Sequence, residues 1–215
     1  MGQGAIERED FFRQLDATYR RPGHLMRRKM ELVESLVRPG GWLLDIGCGT
    51  GEALARLRGH FEYGVGLDAS TSAVRYAWHR VGSGNGVELI QGSAVNLCFW
   101  GSTFDCCLLL DVLEHLEQPG LALSQVARVL KAGGQLVVTV PNWTNWVTAK
   151  LLRLNREHHT FHTPGGWKRL LERCGFQVHL YRAVRLPVLE GDFWAAKFPY
   201  LGMCIVLVAE RRAEV

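Results

Sequence analysis

Apolar and polar positions along this chain switch repeatedly between a strand-like run and a helical period. Trp42–Ile46, Tyr63–Leu67, Val87–Ile90 and Phe104–Leu110 are strand-sized apolar runs. From Cys106 on, the last is continuously apolar, as expected of a strand covered on both faces of a parallel sheet. Between them, Glu52–Leu57 and about Ser70–Arg80 predict helices. Pro119–Leu130 follows with Leu121, Val126, Val129 and Leu130 at helical spacing, and Gly133-Gly134 is expected to stop it. Gln135–Val140 predicts a fifth strand, and Trp167–Cys174 a helix ending at Gly175. Phe176–Tyr181 and Met203–Glu210 predict two closing strands, and Glu7–Tyr19 and Leu25–Val37 read as helices covering the first strand's edge. Alternating units of this length imply a doubly wound α/β sandwich, whose ligands bind at the carboxyl ends of the strands.

Composition narrows the picture without redirecting it. At 215 residues, 47% hydrophobic and 21% charged, the chain suits one globular domain, taken here as residues 1–215. Within it, 1–38 is expected to be a helical cover, 39–142 a ligand-binding half, and 143–215 a second half with an aromatic, basic insertion. A net charge of +4 is too mild to indicate a nucleic-acid partner. No apolar run reaches membrane-spanning length, and Met1–Asp10 is too polar for a secretory leader. The six cysteines, Cys48, Cys98, Cys106, Cys107, Cys174 and Cys204, form no CxxC pair. They read as reduced, buried thiols of a cytoplasmic protein.

The most informative segment is Leu43-Leu44-Asp45-Ile46-Gly47-Cys48-Gly49-Thr50-Gly51. It places a buried strand before three alternate glycines and a helix, an arrangement that lets backbone turn tightly and approach a ligand closely. A dinucleotide loop would need glycine where Glu52 stands, so the G-x-G-x-G spacing disfavours a nicotinamide-dependent dehydrogenase. The segment resembles the first motif of class I S-adenosylmethionine (SAM) methyltransferases. Gly66-Leu67-Asp68, Phe104-Asp105, Asp111-Val112-Leu113-Glu114-His115-Leu116 and Leu130-Lys131-Ala132-Gly133-Gly134 resemble that family's later motifs in order. The resemblance runs from about Leu36 to Glu210, and is similar in type to the ubiquinone-pathway O-methyltransferases.

The resemblance implies a Rossmann-like, doubly wound seven-stranded sheet, mostly parallel with an antiparallel C-terminal strand. It implies SAM as cofactor, held by Asp45, Gly47, Cys48, Gly49, Gly51, Asp68, Ala69, Ser93, Ala94 and Asp111, with Asp68 on the ribose hydroxyls. Ser93 stands where the family commonly has an aspartate for the adenine amino group. His158, aligned on a family H-x-x-F-x-T-P segment, and His115 are the candidate general bases. Tyr19, Trp143, Trp146, His159 and His162 are candidate acceptor contacts. Asp111, Glu114 and His115 also resemble a metal set, although the segment Val112-Leu113-Glu114-His115-Leu116 is common in metal-free members.

The basic run His24–Lys29 reads chiefly as a solvated helix face. The insertion Pro141–Arg156 and the patch Leu186–Leu201 read as a lid over an apolar pocket, as core packing, or as a membrane-surface contact. The expected function is methylation of a small apolar or aromatic molecule at oxygen or nitrogen, by a monomer or homodimer. A lipid or quinone-precursor methyltransferase and a non-catalytic SAM-binding protein are the alternatives. A nucleic-acid methyltransferase is disfavoured, because no N/D-P-P-Y-type tetrapeptide occurs.

Overall fold

The computed structural model describes residues 24–82, 86–142, 144, 159–160, 162–184 and 203–213. Helix α1 (His24–Leu36) precedes strand β1 (Trp42–Ile46), followed by α2 (Glu52–Arg56), β2 (Tyr63–Asp68), α3 (Thr71–Val81) and β3 (Val87–Gln91). Then come β4 (Phe104–Leu110), a 3-10 turn at Leu113–His115, α4 (Pro119–Val129), β5 (Leu130–Pro141), α5 (Pro164–Arg173), β6 (Phe176–Val184) and β7 (Cys204–Arg211). The strands form one seven-stranded sheet in the order β3-β2-β1-β4-β5-β7-β6. Pairing is parallel from β3 through β5, and β7 runs antiparallel to both its neighbours. The seven-stranded, mostly parallel sheet with an antiparallel C-terminal strand is thus as expected.

Each face of the sheet carries its own core. Leu44, Ile46, Leu109 and Val138 pack with α4 and α5 through Leu123, Val126, Trp167 and Leu171. Leu43, Cys106, Leu108 and Val137 pack on the other side with Met30, Val33 and Val37 of α1 and with Ala77 and Val81 of α3. Ser70 caps α3, its hydroxyl accepting from the Ala73 N–H at 3.4 Å, and Thr163 caps α5 in the same way through Gly166 at 3.2 Å.

The glycine pair Gly133-Gly134 does not end α4. The helix stops at Val129, Leu130 is already extended (φ −75°, ψ 142°), and β5 runs through both glycines for twelve residues. Pairing of Phe104 with Leu130, followed by a bulge before Cys106, lets the strand begin there. Helix α5 likewise begins three residues earlier than expected, at Pro164, which supplies a helix-ready φ in the first turn. The six cysteines are free, but Cys98 is exposed and Cys174 half-buried, so the expectation of buried thiols holds only for the other four. The expected helix Glu7–Tyr19, most of the insertion Pro141–Arg156 and the patch Leu186–Leu201 lie outside the described residues. No described helix is long and apolar enough to cross a membrane.

Candidate active site

Strands β1, β2, β3 and β4 end at one edge of the sheet, around a cavity of about 490 Å³. The turn after β1 shapes its floor. Gly47, Gly49 and Gly51 adopt φ of 71°, 51° and 75°, a region that costs other residues free energy. A Cβ on Gly47 would come within 2.5 Å of Val112 Cγ2, so glycine is what lets the β1 and β4 loops touch. Gly51 has a different task. It does not line the cavity; a Cβ there would meet Ala77 at 3.0 Å, so it seats α2 against α3.

The N–H groups of this turn are directed inward on the protein. Those of Gly47 and Cys48 donate to the Leu67 carbonyl at 2.7 and 3.0 Å. The Gly49 N–H donates to Asp68 Oδ2 at 2.9 Å, and the Ser70 N–H to Asp68 Oδ1 at 2.8 Å. Helix α2 has only five residues. The loop fixes the orientation of Asp68. Each oxygen of that carboxylate keeps a lone pair for a ligand hydroxyl.

Negative charge is concentrated here. Asp45 is buried, and desolvation together with the charge of Asp68 pushes its pKa up to about 7. Burial also raises Asp68, against the pull of the Ser70 and Gly49 N–H groups. Cys48 is held as a neutral thiol by burial and by the two aspartates. Glu52 lines the cavity too, and Arg80 bonds its carboxylate at 2.6 Å, offsetting its charge. Two close carboxylates in a desolvated cavity favour a cationic ligand with hydroxyl groups. The sulfonium, ammonium and ribose of SAM match that donor set.

The opposite wall comes from the β4 loop and α1. Asp111 has φ 56°, a left-handed conformation tolerated by Asp, with its N–H on the Thr139 carbonyl at 2.9 Å. Thr139 Oγ1 donates to Asp111 Oδ1 at 2.7 Å, and the Lys29 ammonium pairs with Oδ2. Burial opposes ionisation of Asp111, but the Lys29 charge, the Lys29 and Thr139 hydrogen bonds and nearby His115 outweigh it and hold the carboxyl below its ordinary range. Glu114 is buried behind this pair. Desolvation and Asp111 raise its pKa well above the usual value, and its Oε2 has no hydrogen-bond partner among the described residues. Its carbonyl accepts from the N–H groups of His159 and Thr160 at 2.8 and 3.0 Å.

The cavity therefore gathers Asp45, Gly47, Cys48, Gly49, Asp68, Ala69, Ser93, Ala94, Asp111 and His115 of the expected set. Ser93 stands at the rim, exposed, with its hydroxyl accepting from the Val95 N–H at 3.4 Å. His159 is exposed, and His162 stacks edge-on against Trp167 at 4.8 Å; neither lines the cavity. His158, Tyr19, Trp143 and Trp146 lie outside the described residues. No group of three His, Cys, Asp or Glu among the described residues is placed to hold a metal, and the Asp111 oxygens already receive Lys29 and Thr139.

Sequence reasoning missed the α1 wall. Met26, Lys29 and Met30 line the cavity, and Lys29 is buried although Arg27 and Arg28 beside it are exposed. The stripe Met26, Met30, Val33, Val37 carried the signal, because Lys29 falls on that face.

Residues 44–138 match the family described as "Methyltransferase domain". A 37.1 kDa transposon-encoded protein of Streptomyces fradiae is 35% identical over 119 residues, 54% of this chain and 34% of that protein. The chain thus spans about a third of that relative's length. A demethylmenaquinone methyltransferase of Staphylococcus aureus is 28% identical over 180 residues, 71% of this chain and 75% of the relative. Among solved structures, a Haloferax volcanii protein in complex with the Trm112 methyltransferase activator superimposes with a TM-score of 0.79. It is 19% identical, and the match covers 96% of this chain and 98% of that one.

Proposed function

We propose that the chain is a class I SAM-dependent methyltransferase that methylates a small apolar or aromatic molecule at oxygen or nitrogen. SAM supplies an electrophilic methyl carbon on a sulfonium, so no covalent enzyme intermediate is required. The protein's part is to hold the acceptor atom in line at near-attack distance and to keep water away.

The observation that carries this reading is the mixed lining of the cavity: Asp45 and Asp68 face the same space as the apolar side chains of Met26, Met30, Leu110, Val112 and Leu116. His115, half-buried in the same lining, is the side chain suited to take a proton from an O–H acceptor. The Lys29–Asp111 pair ties α1 to the β4 loop in the cavity wall and so helps exclude water.

A second reading is supported by the Staphylococcus aureus relative, whose name says that it acts on demethylmenaquinone. Here the acceptor would be a quinone precursor taken from a membrane surface. A turnover assay with SAM against phenols, amines and quinone precursors, read by mass spectrometry, decides between them. Methylated phenol or amine supports the first reading. A quinone precursor as the sole product supports the second, and SAM binding without any product indicates a non-catalytic SAM-binding protein.

A further inference from the structure

At the end of the sheet away from the cofactor cavity lies a second concavity, of about 690 Å³. It forms where α4 and α5 end and β7 leaves the sheet. Arg128, Arg173, Arg211 and Arg212 line it, with Ser102 and Ser124 between them. Two of the arginines are built in. Arg128 donates to the carbonyls of Phe99 at 2.7 Å and Leu97 at 2.6 Å. Arg211 donates to Ser102 Oγ at 3.0 Å and to the Leu130 carbonyl. Arg173 and Arg212 are exposed at the rim, and the Arg212 N–H is fixed on the Gly175 carbonyl at 2.9 Å.

No carboxylate lines this concavity among the described residues. Among the described residues, the acids nearest in sequence are committed elsewhere: Glu172 faces Lys168 at 3.8 Å, and Glu210 pairs with Arg38 and with His179 at 3.1 Å. A simpler explanation is that the arginines offset the negative ends of α4 and α5. Magnitudes decide against it. Each helix end amounts to about −0.5 charge, so two supply about −1. Arg128, Arg173 and Arg212 alone carry three full positive charges, leaving about +2 even with Arg211 set aside. The exposed planar guanidinium forks of Arg173 and Arg212, on a concave wall with no acid among the described residues, suit the oxygens of a phosphate group, and the anchored Arg128 and Arg211 add positive charge behind them.

We propose that this concavity binds the phosphate or diphosphate group of a soluble anionic ligand. The ligand would be distinct from the methyl acceptor, since β4 alone, seven residues at about 3.3 Å each, puts roughly 20 Å between the two ends of the sheet. That separation also favours a soluble ligand over a lipid. Docking on a bilayer through the arginines would leave the cofactor cavity, lined in part by Met26 and Met30, at the sheet end away from the membrane.

The test is calorimetric titration of the full chain with inorganic pyrophosphate, with SAM present, for wild type and for the double variant Arg173→Gln, Arg212→Gln. Both positions are exposed and outside the cofactor cavity, so SAM affinity is expected to stay unchanged. Pyrophosphate affinity is expected to fall by at least about tenfold. If the double variant loses SAM binding, single Arg212→Gln is measured instead, with a smaller loss in the same direction expected. The proposal is overturned if wild type shows no saturable pyrophosphate binding, or if affinity is unchanged in a variant that still binds SAM. Sedimentation with phosphatidic acid vesicles, but no binding of free pyrophosphate, would overturn the soluble ligand in favour of a lipid headgroup.

Discussion

Replacing Asp45 by asparagine removes an ionisable group while nearly preserving shape. Asp45 lies at the end of β1, 2% exposed, beside Asp68. Burial, then the charge of Asp68, raises its pKa from 3.8 to about 7 in the folded protein. A carboxyl raised on folding stabilises the protein relative to its ionised state below the unfolded value of 3.8, and that contribution is lost as pH climbs through about 7. At about 1.4 kcal/mol per pH unit, the interval sets an upper limit of about 4 kcal/mol. For a chain of this size that amounts to at most about 8–16 °C in melting temperature. Without cofactor, Asp45→Asn should match wild type near pH 4 and be the more stable protein above pH 7. Its SAM affinity should fall, because the cationic ligand loses a carboxylate. Thermal unfolding of both proteins across that pH range, followed by titration with SAM, makes the comparison. A stability difference that does not change with pH, or a wild type more stable at pH 8, would refute the argument that Asp45 is destabilised by its own charge.

Lys29→Met should strand the Asp111 carboxylate and cost about 1–3 kcal/mol at pH 7, less than a fully buried pair because Asp111 is 35% exposed. Since folding lowers the pKa of Asp111, this loss should shrink as the pH of a denaturant titration falls through the carboxylate range. Gly51→Ala should destabilise by about 1–3 kcal/mol, from the left-handed backbone and the contact with Ala77, as read by urea midpoint. His115→Asn should lower kcat on an O–H acceptor by about 100-fold, with SAM affinity unchanged in equilibrium titration. Removal of divalent metals with a chelator should leave turnover intact, because Lys29 and Thr139 already occupy Asp111; loss of activity would restore the metal reading.

What was legible in the sequence was what depends on local spacing. The strand Trp42–Ile46, the alternate glycines after it and the acid ending β2 are read directly, because the turn geometry and the Gly49–Asp68 hydrogen bond need only that order of residues. The continuous apolar run Cys106–Leu110 is equally plain, its first four residues being buried. Two kinds of information were not local. Lys29 looked like part of a basic surface until α1 brought it to Asp111, 82 residues away. The glycines before Gln135 looked like a helix stop because pairing of Leu130 with Phe104, which makes that segment strand, depends on the neighbouring chain. Gly51 was legible as a glycine position but not in its role, since its constraint comes from Ala77 on another helix.

The order β5-β7-β6 has a consequence for assembly during synthesis. Strand β6 leaves the ribosome before β7, yet among the described strands β7 is its only neighbour in the sheet. Until β7 has emerged, β5 keeps a bare edge and β6 has no ladder to join. The parallel half can organise while the chain is still growing, but its last two strands can only enter together. Any delay or arrest before Cys204 would leave an adhesive apolar edge exposed, so this stretch of the chain is where a chaperone would have most to protect.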